Sequence, residues 1–258
     1  LYRGEIDRAI FEKRYVHKTG GIVWCQLSVG MVHNREGKPL YFVTYIQNIT
    51  EQKNNEQLIA QSNQQLQTAA MEAIECLGYV VETRDPYTSG HQRRVADLAA
   101  AIAAELDLPE SQIHAVRVAG TVHDIGKMSI PAEILSKPTV LTEFERTFVQ
   151  QHAESGYQIL SRIHFPWPVA EIVYQHHESI DGSGYPRKLT GDAIMLEAKI
   201  LSVADVVEAM STHRPYRPAL GVDAALEEIL RYAGIKYDID AVNACVKLFM
   251  DKGYQLLP

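Results

Sequence analysis

Early in the chain apolar residues recur at every second position. Val23, Cys25, Leu27, Val29 and Met31 share one face, and Trp24, Gln26, Ser28 and Gly30 the other. Gly-rich and Asn-Arg-Glu-Gly-Lys-Pro turns separate this run from its neighbours, so residues 9–48 are predicted to form a three-stranded antiparallel meander. Three strands bury too little to stand alone, so a covering partner is expected upstream or in another chain. From Glu51 to Arg84 the chain is rich in Gln, Asn, Glu, Ala and Leu, with Gly78 its one glycine and no proline. This predicts a long helix. Ile59, Leu66 and Ala73 are seven apart, with Ala69 and Cys76 between the repeats, a thin heptad seam suited either to a helix pairing in a dimer or to a linker packed on the next domain.

Beyond Asp85-Pro86 the period is helical almost to the end. Breaks fall at Leu108-Pro109, Ser136-Lys137-Pro138, Phe165-Pro166-Trp167-Pro168, Gly182 to Pro186, and Arg214-Pro215-Tyr216-Arg217-Pro218. About seven helices in one all-α domain are expected. The predicted class is therefore mainly α, with residues 1–52 a β fragment, 53–84 a linker helix and 85–258 the helical domain.

Composition narrows the function. With 258 residues, 46% hydrophobic and 22% charged, the chain can bury a substantial core. A net charge of -7 argues against binding polymeric nucleic acid, which needs a basic face. Three cysteines lie far apart, fitting a reducing cytoplasm better than a disulfide framework or a thiolate metal site. No apolar run reaches the roughly 18 residues of a membrane helix, and no signal peptide opens the chain. The first residue, Leu1, fits a piece of something longer.

Polar residues stand where the helical pattern calls for core. His91 shares a stripe with Val95, Leu98 and Ile102, and His123 follows Val116, Ala119 and Gly120, with Asp124 beside it. His152 lies between Val149 and Gly156. His176 and His177 each come four residues after an apolar one, Ile172 and Val173, and Asp205 continues Ile194, Ala198 and Leu201. One such histidine is ordinary core. Seven buried polar groups on five helices need compensating charge, which divalent metal supplies, and they exceed the four ligands of one closed zinc site. At least two metals sharing a carboxylate are expected. His17, His33, His114, His164 and His213 have no such setting.

Lys127, four residues after His123, would lie one helical turn from the metal, placed to neutralise a phosphate oxygen; a cation favoured by the helix C-terminus is the plainer reading. Arg214 and Arg217 suit phosphate, though a solvated loop is the default for such a run; Arg93 and Arg94 are expected at the surface. His176 and His177 open the segment His-His-Glu-Ser-Ile-Asp-Gly-Ser-Gly-Tyr-Pro, so metal ligands and a rigid turn share one corner.

Two resemblances follow from these residues. Tyr2-Arg3-Gly4-Glu5, the strand from Gly21 to Trp24 and the exit Ile46 to Glu51 resemble the C-terminal half of a PAS sensor domain. His123-Asp124-Ile125-Gly126-Lys127 and His176 to Pro186, with Pro86 to His91, His152, Gly156, Ala204-Asp205 and Arg214 to Arg217, resemble the HD-GYP branch of the HD metal-dependent phosphohydrolases over about residues 76–258.

The second resemblance implies a cyclic di-GMP phosphodiesterase yielding pGpG and often GMP. It implies metal ligation by His123, Asp124, His152, His176, His177 and Asp205, with His91 matching the family's first histidine. Asp124 and Lys127 would be catalytic; Lys127, Gly184, Tyr185, Pro186, Arg214 and Arg217 would contact substrate. Two departures stand out: Tyr87 occupies the place of a glutamate found in three-metal members, so a dinuclear site is expected, and Glu208 stands where relatives commonly have Asp. Iron or manganese is favoured over zinc, nickel or cobalt. The implied partners are a second copy through the linker helix and a diguanylate cyclase (GGDEF) protein through the Gly-Tyr-Pro loop. A catalytically silent cyclic di-GMP receptor, or a hydrolase of another nucleotide, are the competing readings.

Overall fold

The computed structural model describes residues 8–84, 90–137, 139–212 and 219–256. It divides into two compact units, residues 1–70 and 71–258. The first holds a three-stranded antiparallel sheet in the order β1 (Arg8–Val16), β2 (Ile22–His33), β3 (Pro39–Asn48). Phe11 pairs with Leu27, and Leu27 with Ile46. At the second turn the Asn34 carboxamide oxygen accepts from the backbone N–H groups of Glu36 (3.0 Å) and Lys38 (2.8 Å), the local bonding that makes asparagine a turn residue. Gly37 there has φ 77°, open to glycine without strain.

The alternation expected in β2 shows at its middle, where Cys25 and Leu27 are buried, whereas Val23, Val29 and Met31 are half-buried like the residues of the opposite face. The outer strands do not bury theirs. Tyr45 is 65% exposed, Ile10 59%, Leu40 58% and Ile46 55%, so this sheet keeps an uncovered apolar surface. Helix α1 (Thr50–Arg84) leaves β3 directly, anchored where the Thr50 hydroxyl accepts from the Trp24 N–H at 2.9 Å.

The second unit contains the end of α1 and, among the described residues, nine further helices: α2 (His91–Glu105), α3 (Glu110–Val122), α4 (Ala132–Leu135), α5 (Glu143–Gln150), α6 (His152–Leu160), α7 (Val169–Gln175), α8 (Leu196–Ser211), α9 (Val222–Arg231) and α10 (Ile239–Met250). The expected seven fall short because α4 is a single turn and α5 and α6 meet at Gln151, too little chain for a separate periodic signal. Helices α2, α3 and α8 form the centre, where Leu98, Ile102, Val116, Ala119, Ile200 and Leu201 are wholly buried. Gly120 permits this contact: a methyl group there would lie 2.7 Å from the Ala96 Cα. Helix α5 starts at a capping box between Thr142 and Glu145, and α10 where the Asp238 carboxylate accepts from the N–H groups of Asp240 and Ala241.

Candidate metal centre

The polar side chains converge because helix ends converge. His91 is the first residue of α2 and His152 the first of α6. His123 caps the C-terminus of α3, with Asp124 next, and His176 caps α7, with His177 next. Asp205 alone comes from a helix interior, that of α8. Three groups of donor atoms lie within 4.8 Å of one another: His91, His123 and Asp205; His152, His176 and His177; and His123, Asp124 and His176.

The rings are aimed by their other nitrogens. Each of His123, His152 and His176 sets Nδ1 against the carbonyl three residues earlier, on Gly120 (2.8 Å), Val149 (2.8 Å) and Val173 (2.5 Å). A carbonyl only accepts, so Nδ1 carries the proton and Nε2 presents its lone pair to the centre. His91 differs: its Nδ1 meets the Glu208 carboxylate, which also accepts from Arg94 at 2.8 Å through Nε and 2.7 Å through Nη2. The expectation that Arg94 is a surface residue is therefore corrected. It lies three residues beyond His91 on the same face of α2 and holds the glutamate that faces His91. Glu208, expected only as a departure from the family pattern, has that place because it follows Asp205 by three residues on α8.

Asp124 stands between the donor groups. Its Oδ2 lies 3.5 Å from His123 Nε2 and 3.7 Å from His91 Nε2, and its Oδ1 lies 3.7 Å from His152 Nε2. Asp205 Oδ1 is 3.4 Å from His91 Nε2 and 3.7 Å from His123 Nε2, while the Nε2 atoms of His152 and His176 are 3.4 Å apart.

Burial governs the protonation of these groups. It lowers His176 to about 3, takes His177 well below the usual histidine range and lowers His152, keeping the imidazoles neutral and able to ligate. For Asp124 burial is also the largest influence and acts upward, but the fields led by the Lys127 ammonium outweigh it and hold the carboxyl well below its ordinary value. Asp205 is lowered in the same way, against its burial, chiefly by His123 and His91. Neutral His152, His176 and His177 beside ionised Asp124 and Asp205 offer the lone pairs and the negative charge a divalent cation needs, so this donor set fits a metal.

Lys127 reaches the site by a different route from the one its spacing predicts. Helix α3 ends at Val122, and residues 125–129 form a 3-10 turn, so the lysine meets Asp124 three residues back, Nζ to Oδ2 2.7 Å, rather than His123 four back. Gly126 is pressed against α6, where a methyl group would lie 1.9 Å from the His152 carbonyl oxygen.

The Gly184-Tyr185-Pro186 corner folds onto the same wall. A methyl at Gly184 would sit 2.5 Å from the His177 carbonyl oxygen, and the Tyr185 N–H donates to that oxygen at 3.1 Å. The Tyr185 ring lies 4.7 Å from the His177 ring and 6.3 Å from that of His152. Burial, then Asp205 and Asp124, push its phenol upward, so it stays protonated. Pro186 follows through a cis peptide bond. The loop is clasped by buried Glu178, whose carboxylate accepts from the N–H groups of Arg187 (2.7 Å) and Leu189 (2.9 Å). Sequence reasoning passed over Glu178; its signal was a carboxylate directly after the two histidines and before a Gly-rich turn. Arg214, Arg217, His213 and Tyr87 lie outside the described residues, as do Tyr2 to Glu5.

The HD domain family matches residues 75–241 of the chain. Similar proteins include the cyclic di-GMP phosphodiesterase response regulator RpfG of Xanthomonas campestris pv. campestris, 37% identical over 194 residues, covering 74% of this chain and 51% of that protein. The 3'3'-cGAMP-specific phosphodiesterase 3 of Vibrio cholerae is 38% identical over 201 residues, covering 76% and 44%. A cyclic di-GMP phosphodiesterase of Thermotoga maritima is 40% identical over 179 residues, covering 69% and 49%. The chain thus spans about half the length of the curated relatives it matches. Among solved structures, the fold is shared with Bd1817, an HDG"Y"P protein of Bdellovibrio bacteriovorus (TM-score 0.53, 19% identity, 62% of this chain and 51% of that one). It is shared also with V-cGAP3, a cyclic GMP-AMP-specific phosphodiesterase of V. cholerae (TM-score 0.53, 18% identity, 69% and 49%).

Proposed function

The chain belongs to the HD domain family, and from that premise we propose that it is a metal-dependent hydrolase opening the phosphodiester ring of a cyclic dinucleotide, cyclic di-GMP first, to linear pGpG and then GMP. The observation that carries this reading is the orientation of Asp124. Its two oxygens face different donor groups, Oδ2 toward His91 and His123 and Oδ1 toward His152, as a carboxylate shared by two ions would. We assign one ion to His91, His123, Asp205 and Asp124, and the other to His152, His176, His177 and Asp124. Iron or manganese suits this His/Asp set better than four-coordinate zinc; nickel and cobalt are further candidates.

Bound metal supplies a nucleophile at neutral pH and Lewis acidity toward a phosphoryl oxygen. The chain's own residues do the rest. Lys127, held at Asp124 and partly exposed, neutralises charge growing on the phosphate, and Arg214 and Arg217 bind the same group. Gly184, Tyr185 and Pro186 wall the substrate, Tyr185 through its ring. Neutral His152, His176 and His177 keep their lone pairs for ligation because burial opposes protonation.

A second reading, 3'3'-cGAMP as substrate, is favoured by the V. cholerae relative named for that molecule. Residues 1–52 are proposed to be the C-terminal half of a PAS-type sensor, and α1 a signalling helix pairing in a dimer, in keeping with Ile59 at 61% and Leu66 at 66% exposure. A diguanylate cyclase docking on the Gly-Tyr-Pro loop is the proposed protein partner. No helix among the described residues is long and apolar enough to cross a membrane. A cytoplasmic location is proposed from the substrate, an intracellular messenger.

The test is turnover of cyclic di-GMP and 3'3'-cGAMP by the purified chain with Mn2+, read by chromatography, beside folded Asp124→Ala. Ring opening by the wild type and its loss in the variant are expected. A wild type inactive on both, or a variant as active as wild type, would contradict the reading.

A further inference from the structure

Helix α2 has no cap of its own. Gly90 stands at its N-cap, in the left-handed region (φ 72°) and without a side chain to accept from the first N–H groups. The acceptor comes from the last turn of α1. Buried Glu82 takes the Gly90 N–H on Oε2 at 2.9 Å and the Gln92 N–H on Oε1 at 3.0 Å. The residue between those two amides is His91. One carboxyl group thus pins the backbone on both sides of a metal-facing histidine. One turn earlier, Gly78 brings α1 against the end of α3, where a methyl group would lie 2.6 Å from the Thr121 carbonyl oxygen, two residues before His123.

Both contacts bear on the donor group of His91, His123 and Asp205, His123 being shared with the group of Asp124 and His176. None involves His152, His176 or His177. The helix that leaves the sheet at Thr50 is also the helix whose last turns fix this half of the centre.

We propose that Glu82 is a positioning residue for the metal centre, through which α1 sets the affinity of the ion held by His91, His123 and Asp205 while leaving the other ion unaffected. The proposal rests on the two-ion reading above. A displacement of α1 would then reach the reaction as partial loss of metal, a graded control exerted without any contact to substrate.

The experiment is Mn2+ titration of the whole chain, free Mn2+ being read by its EPR signal, for wild type and Glu82→Gln. The amide keeps one acceptor and turns the other into a donor. One of two binding steps should weaken by at least about tenfold, the scale on which the residues orienting metal ligands act. That loss should vanish in a His91→Ala background and persist in a His177→Ala background, since only coupled residues depart from additivity. Gly78→Ala, which pushes α1 off Thr121, should weaken the same step. Two unchanged steps, or equal weakening of both with a fall in the melting temperature of metal-free protein, would overturn the proposal. Wild type binding fewer than two Mn2+ would instead remove the two-ion reading, and this inference with it.

Discussion

Asp124 and Lys127 touch each other yet should fail differently. Asp124→Asn removes the charge that two donor groups share, so metal content and turnover should fall together. Lys127→Gln leaves every metal-facing donor in place. Metal content, measured by elemental analysis, should hold while kcat drops about a hundredfold, the usual effect of removing one group that stabilises transition-state charge. Loss of metal in Lys127→Gln would make the lysine structural.

The histidines carry a pH signature. With His176 lowered to about 3, and His152 and His177 also lowered, all by burial, the unfolded chain binds more protons than the folded one between those values and the ordinary histidine pKa of about 6.5. Stability of the metal-free protein should therefore rise with pH across that window and be lost as pH falls through it. Melting in EDTA should come at lower temperature at pH 5 than at pH 7; a flat or reversed profile would contradict the burial argument. The seven candidate donors that the fold brings together could be read from sequence because six interrupt an apolar stripe and Asp124 adjoins one of them. Glu82, Glu178 and Glu208 could not, because each acts on a backbone amide or a histidine that only the folded chain brings near.

At the level of elements, the centre is built from helix ends, which periodicity locates least well. Lys127 illustrates the cost: the spacing of a continuing helix pointed to His123, whereas the turn after Val122 delivers the lysine to Asp124. The same turn depends on Gly126. Gly126→Ala must displace α6 or the turn, at about 1–3 kcal/mol or more for overpacking a tight contact, and the displacement falls on His152 and Lys127. Denaturant unfolding should record the loss. An unchanged midpoint would show that the turn yields freely. Glu178→Ala should cost about 1–3 kcal/mol by orphaning two amides, and should loosen the Tyr185 loop. Protection of the Arg187 and Leu189 amides from hydrogen exchange is the measurement; it should collapse in the variant.

Across the whole molecule the two units differ in completeness. Residues 71–258 carry a continuous core and, among the described residues, all the donors of the three groups, so this segment alone should fold and bind metal. The sheet of residues 8–48 was legible from alternation, but what covers its exposed apolar strands was not, because a period of two reports the strand and not its partner. The central claim concerns the larger unit, and the most direct test of it is metal analysis of anaerobically purified protein alongside cyclic di-GMP turnover by the same sample. Two metal ions per chain, with turnover lost on chelation and restored by Fe2+ or Mn2+, is the predicted result. Undiminished turnover by metal-free protein would contradict it.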